Sequence, residues 1–331
     1  MSTSLNKSEN VTICATDISW GDDLNNIYRI ISRRFNDFNE NGFYAHPEEV
    51  ALRAELGEVG ALRRLTRQLR ATGSNGVALS GLGLQGLSED RRNAALYAIT
   101  LMLGYPTSTD QRTGRVAWDV KARPGAHSDA RFTTFSERVG SADMHTDSSF
   151  YPMPEEQFIL YVVQAADCKG GHSLLIDGED IYQTLQQTAA GRDAYELLSS
   201  TPVPFRVPAV YAAGDAAIEH HVARVFDAPR RDGDRFTLRW RYDAIQKGLA
   251  VRPDLSSPEL VDALALMNEV AEHSAPRFKQ QLATDTLLWA DNHRMLHGRT
   301  TYEDERRHLI RIRMSDVPNA ERIGPSGVVR D

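Results

Sequence analysis

Cysteine is nearly absent. The chain holds two, Cys14 and Cys168, far apart and without metal-ligand spacing, so no disulfide framework is implied and a reduced intracellular protein is expected. An excess of positive charge is also missing: 38 Lys and Arg against 45 Asp and Glu give a formal net charge of -7. That balance argues against nucleic acid as the main partner, because phosphate binding wants a concentrated basic face. A local basic pocket for a small anion stays compatible with it. No apolar run approaches the length of a membrane-spanning helix, and the polar stretch from Met1 to Val11 has no apolar signal core. The expected location is therefore the cytoplasm, with no membrane partner. Internal repeats and low-complexity linkers are absent too.

What is present suits a globular protein with ample core: 331 residues, 41% hydrophobic and 25% charged. Apolar residues Leu24, Ile27, Ile30, Ile31 and Phe35 recur at helical spacing, which predicts a helix over 22–38. A second is expected from Pro47 to Arg70, ending before Gly73, and a third from the Ser88 cap to Met102. Strands are expected at Gly76 to Leu82, Val116 to Val120 and Arg131 to Ser136. The nearly continuous apolar run from Gln157 to Ala166 reads as a central strand. Another strand begins at Ser173 after the Gly170-Gly171 turn. Helices follow in 180–187 and 194–199, then strand-like alternation over 204–249, then a long helix from Ser257 to Ser274. The last strands fall at 285–289, 294–297 and 308–314. Helices early and strands in the middle and at the end predict one α+β domain over 1–331, built on an antiparallel double sheet such as a jelly roll, with flanking helices. Its parts are a mainly helical region at 1–74, the core at 75–316 and a tail at 317–331. A homo-oligomer is compatible with all of this.

The chemistry-bearing stretch is Met144-His145-Thr146-Asp147. On a strand, side chains alternate, so His145 and Asp147 would share a face and offer two adjacent ligands to one metal ion. Such a pair occurs often by chance; a second, distant histidine gives it meaning, because a 2-His-1-carboxylate face with open positions is the signature of non-haem Fe(II) oxygenases. His297 is the candidate, near the start of the final strand pair, with His293 ranked below it because it adjoins a turn at Asp291-Asn292. Arg311 follows on the apolar stretch Arg307-His308-Leu309-Ile310-Arg311-Ile312-Arg313-Met314. A guanidinium there is costly to bury unless it meets an anion, and its planar fork suits a carboxylate. A solvated edge strand is the alternative, above all for Arg307 and Arg313. Ser173 could hydrogen-bond the same carboxylate as Arg311.

Together these pieces resemble the taurine dioxygenase and clavaminate synthase group of Fe(II)/2-oxoglutarate-dependent oxygenases. The resemblance covers roughly residues 75–315 and rests on His-Thr-Asp at 145–147, Gly-Gly-x-Ser at 170–173, Asp-Asn-x-Arg-x-x-His at 291–297 and Arg-His-Leu-x-Arg at 307–311. It implies a double-stranded β-helix core, and His145, Asp147 and His297 as the iron ligands. It implies that Arg311 holds the distal carboxylate of 2-oxoglutarate with help from Ser173, and that O₂ and 2-oxoglutarate are consumed to give succinate while a C–H bond of a small molecule is oxidised. The resemblance points to an amino acid or an amino-acid-derived metabolite, of the kind handled in secondary metabolism. Related halogenases generally carry glycine or alanine in place of the carboxylate, so Asp147 favours hydroxylation; desaturation and cyclisation share the same start. Phe150, Tyr151 and Ser136 are the candidate substrate contacts, with Thr134 and Arg138 near the same mouth and 179–200 or 209–234 as lids. Two other readings stay open: a non-catalytic, carboxylate-binding member of the fold, and a zinc hydrolase drawing on His172 or His220-His221, which gives Arg311 no role.

Overall fold

The structure, a computed structural model, describes residues 11–16, 18–35, 45–108, 114–123, 135–208, 219–230, 233–322 and 329–330. The first third contains β1 (Thr12–Ala15), α1 (Asp23–Ser32), α2 (Glu49–Leu56), α3 (Gly60–Ala71), β2 (Gly76–Ser80), α4 (Glu89–Leu103), β3 (Tyr105–Pro106) and β4 (Ala117–Lys121). The middle contains β5 (Ala142–His145), β6 (Gln157–Gln164), β7 (Ser173–Asp177), α5 (Gly178–Leu185), α6 (Ala189–Ser200), β8 (Val203–Arg206), β9 (Glu219–Ala223), β10 (Phe226–Asp227) and β11 (Thr237–Leu238). Then follow α7 (Tyr242–Val251), α8 (Pro258–His273), β12 (Phe278–Gln280), β13 (Leu287–Asp291), β14 (Met295–Arg299), β15 (His308–Ser315) and β16 (Val329–Arg330).

Mixed helix and sheet is the architecture, and the strands fall into two main sheets. The larger has the order β1-β2-β13-β6-β15-β3, with β4 also on β15; the smaller runs β12-β7-β14-β5. All pairs are antiparallel except β1 with β2. Strand alternation then sorts the side chains of the large sheet. Ile159, Tyr161, Ile310, Ile312 and Met314 face outward into a core shared with α1 to α4, through Ile27, Leu56, Leu65 and Tyr97. Phe158, Val162, Leu288 and Leu309 face inward and share a second core with Met144, Leu175 and Leu296 of the small sheet and with α5, α6 and α8. Burial on both faces explains why β6 and β15 read as near-continuous apolar runs.

Several expectations change. The helix expected over Pro47 to Arg70 is two helices, because Gly57 closes α2 and Val59 adopts an extended conformation before α3. Within the strand-like alternation expected over 204–249, the stretch 236–242 yields only the strand Thr237–Leu238, and Tyr242–Val251 is a helix, α7, that the local alternation conceals. Phe135–Glu137 is a 3-10 turn instead of the end of a strand, and 131–134 lie outside the described residues. The segment 179–200, expected to be helical, forms α5 and α6, capped by Asp177 and Thr188, and α6 packs on α8. Of the other expected lid, 209–218 and 231–232 lie outside the described residues, as do Thr134 and 323–328 and 331 of the tail. No helix among the described residues is long and apolar enough to cross a membrane.

Candidate metal centre

His145 ends β5 and stands directly opposite His297 of β14 in the small sheet. Their ring centroids lie 4.3 Å apart, and the Phe158 ring from the facing sheet packs 4.5 Å from His297. Asp147 does not sit on the strand, contrary to the alternation argument: β5 stops at His145, and residues 147–150 form a turn in which Ser148 has φ 58°. Its position comes from a distant side chain. Asn292 accepts the Asp147 backbone N–H at 2.7 Å and donates to the carbonyls of Asp147 at 3.0 Å and Glu155 at 2.8 Å. Arg313 donates to the Ser148 hydroxyl on the same turn.

One donor atom from each of His145, Asp147 and His297 lies within 4.8 Å of the others, and all three residues are buried. Asp147 Oδ2 and His297 Nε2 are 3.8 Å apart, and neither has a hydrogen-bond partner among the described residues. Buried polar atoms left without partners are costly, so two of them converging with a third donor on one point fit a cation. Asp147 Oδ1 is already held by Arg311 Nη1 at 2.8 Å, which leaves Oδ2 as the oxygen on offer. The Nδ1 of His145 lies 2.7 Å from the Asp143 carbonyl, which fixes the proton on Nδ1 and leaves the Nε2 lone pair for a metal. Burial holds His145 well below the usual histidine range, with the charges of His297 and Arg241 adding to it. Burial likewise pushes His297 down to about 4, against the opposing pull of Asp147. Burial would raise the Asp147 carboxyl, but Arg311, His297 and Arg313 together outweigh it and hold it well below the usual carboxylate range. Two neutral imidazoles and one carboxylate are the protonation states a divalent cation needs.

Beside the histidines lies a cavity of about 70 Å³, lined among others by Ser136, Ser173, Leu309, Arg299, Arg307 and Arg311. Arg307 and Arg313 are not on a solvated edge: β15 lies between β6 and the β3/β4 pair, and the two are 5% and 1% exposed. Arg307 follows the parity of Arg311 one turn of the alternation further out, and its Nη1 is buried without a hydrogen-bond partner. Burial lowers its guanidinium pKa. Arg299 is spent on the carbonyls of Phe135, Arg138 and Gly140. Ser173 pairs in register with Arg299 and lines the same cavity as Arg307. The Gly170-Gly171 pair that introduces it is demanded by space. A Cβ on Gly170 would stand 2.0 Å from the Thr301 carbonyl oxygen, and Gly171 has φ 74° against the Arg307 side chain.

Other candidates are placed elsewhere. His293 is buried with Nε2 3.1 Å from the Pro154 carbonyl, His172 lies by Thr300, and His220 lies by Arg252, so none joins the metal group. Phe150 and Tyr151 pack edge-to-face against each other in the core and do not line the cavity beside the histidines. Ser136 does line it. Sequence reasoning overlooked Asn292, Arg307 and Arg241; the spacing of Asp291-Asn292 before His297 was the available signal for the first.

A buried, open-sided 2-His-1-carboxylate group between two antiparallel sheets defines a non-haem metalloprotein. The family model for "Taurine catabolism dioxygenase TauD, TfdA family" matches residues 49–313, and the chain belongs to that family of dioxygenases. The sequence has no significant match among curated proteins. Among solved structures it is similar to asparagine oxygenase in complex with Fe(II), 2S,3S-3-hydroxyasparagine and succinate, at 15% identity and TM-score 0.64, covering 92% of this chain and 93% of that one. It is also similar to the non-heme iron oxygenase OrfP in complex with Fe and alpha-ketoglutaric acid, at 15% identity and TM-score 0.60, covering 95% and 98%. At these identities the likeness is one of fold.

Proposed function

We propose that the chain is an Fe(II)/2-oxoglutarate-dependent oxygenase that hydroxylates an amino acid or a closely related small molecule. The observation that carries this is the convergent donor set of His145, Asp147 and His297, with Asp147 Oδ2 and His297 Nε2 buried without partners, beside a cavity with buried arginines. Family membership and neighbours that hold iron, 2-oxoglutarate or succinate, and hydroxylated asparagine or arginine support it. The two sheets are read as the halves of a double-stranded β-helix within one domain, which the crossed order β12-β7-β14-β5 against β13-β6-β15 supports. The lack of a disulfide among the described residues supports a cytoplasmic location.

In this reading His145, Asp147 and His297 hold the iron. Bound there, the metal supplies activation of O₂, coupled to decarboxylation of 2-oxoglutarate to succinate and CO₂. The residues around it do the orienting. Arg311 keeps one carboxylate oxygen of Asp147 occupied, so the ligand binds through the other. For the distal carboxylate of 2-oxoglutarate, the proposal moves from Arg311 to Arg307 with Ser173. Arg311 already gives Nη1 to Asp147 and keeps its Nε without an acceptor, whereas Arg307 lines the same cavity with its terminal Nη1 buried and without an acceptor. Leu160, Val120 and Leu309 give that cavity dry walls. Phe135 covers the His145 ring at 5.8 Å and sets one side of the substrate mouth, next to Ser136. A carboxylate ligand at Asp147 favours hydroxylation over halogenation.

Anaerobic addition of Fe(II) and 2-oxoglutarate should produce a weak visible charge-transfer band, and air should then release succinate in step with an added amino acid. Properly loaded protein that shows neither would sink the assignment.

A further inference from the structure

The iron and 2-oxoglutarate leave one buried guanidinium beside the centre without a task. Arg241 precedes α7 and is 8% exposed. It is brought to the site by main-chain and side-chain bonds between neighbouring segments: Thr146, between the two metal ligands, donates its N–H to the Trp240 carbonyl at 2.7 Å, and Trp240 N–H returns to the Thr146 hydroxyl at 2.9 Å. The Arg241 guanidinium lies 5.1 Å from the centroid of Phe135, the ring that covers His145. Arg138 lies over the same ring at 4.9 Å and has no carboxylate partner among the described residues.

Arg241 uses only its Nε, which donates to Asp243 Oδ1 at 3.1 Å; its two terminal nitrogens make no hydrogen bond among the described residues. Asp243 is itself shared, since Lys247 Nζ reaches its other oxygen at 3.1 Å. The mouth therefore carries two guanidinium groups against one divided carboxylate. A guanidinium held nine-tenths out of water with four N–H donors unused seeks a planar oxyanion. It would also repel a cationic side chain placed over Phe135.

Resting on the oxygenase reading above, we propose that Arg241, assisted by Arg138, is a specificity-determining anion subsite, and that the substrate is an amino acid whose side chain ends in a carboxylate. The neighbours named above hold a neutral amide or a guanidinium in their products, so this chain would differ from them in charge preference.

The test uses the full chain loaded with Fe(II) and 2-oxoglutarate, with succinate release measured for aspartate, glutamate, asparagine, glutamine and arginine. The acids should exceed their isosteric amides by about tenfold to a hundredfold in kcat/KM, the worth of a charge-assisted hydrogen bond. Arg241→Gln should shrink that preference to within a few-fold, with the loss falling mainly in KM for the amino acid, and Arg241→Lys should restore part of it. Thermal melts of the metal-free variants check folding. A wild type that prefers amide or arginine, or an Arg241→Gln variant that folds and keeps the full acid preference, overturns the proposal. If no amino acid raises succinate release, the amino-acid reading fails separately. The subsite is then judged by thermal shift with acetate, succinate and benzoate against their amides, where equal shifts in wild type and Arg241→Gln overturn it.

Discussion

Asn292 offers the sharpest test of how Asp147, the proposed carboxylate ligand, is placed. The perturbation is Asn292→Ala. The side chain is 1% exposed and makes three hydrogen bonds, one received from Asp147 N–H and two given to the carbonyls of Asp147 and Glu155. Each bond contributes about 1 kcal/mol net, and an orphaned buried N–H adds about 1–3 kcal/mol more, for a loss of about 4–6 kcal/mol. That is a large part of the ~5–15 kcal/mol by which domains are stable. Urea unfolding of the metal-free protein measures it directly. Because the same bonds fix the turn that carries Asp147, metal affinity read by competition with a chelator should fall about 10–100-fold. Asn292→Asp should do no better, since it loses the amide donor and places a charge beside Asp147. A loss below about 1 kcal/mol with metal affinity unchanged would refute the clamp.

Three further outcomes are expected. Arg307→Ala should weaken 2-oxoglutarate binding by about thirtyfold or more in isothermal titration, as removal of one partner of a buried charge pair does, whereas Arg311→Ala should act chiefly on metal affinity; the reverse pattern would exchange their roles. Gly170→Ala, which drives a methyl into the Thr301 carbonyl, should cost about 2–3 kcal/mol or more and show as a lowered Tm. The metal-free protein should lose stability as the pH falls from 6.5 toward about 4, because His297 is neutral when folded and the unfolded chain takes up the proton first. A Tm that stays flat across that interval would contradict a buried neutral imidazole.

Local pattern revealed the elements whose apolar residues recur over long windows. β6, β15, α4 and α8 fall close to their expected positions because their burial is written into the period of the sequence. The helix α7 was illegible because Arg239-Trp240-Arg241-Tyr242 alternates like a strand while its partners lie on β5 and its turn. At the site, the pairing of His145 with His297 follows from a double sheet, and the structure realises it. Asp147 was found by an argument that does not hold locally, since it lies on a turn. What places it, Asn292, is 145 residues away in the chain. The roles of the arginines turn on which guanidinium already has an acid, and spacing alone carries no such information.

The situation of β15 has a bearing on how the protein is made. Arg307, Arg311 and Arg313 ride on or beside a strand that must insert between β6 and the β3/β4 pair after every other strand of the two large sheets has been synthesised. A nascent chain that has emerged only as far as β14 already owns all three metal donors but lacks the guanidinium that occupies Asp147 and the anion seat beyond it. On the reading proposed above, such a chain would lack the groups that seat the cosubstrate until the final strand pairs. Chains cut short before Arg307 would keep the three donors and lack both guanidinium groups, a loss that follows from topology alone.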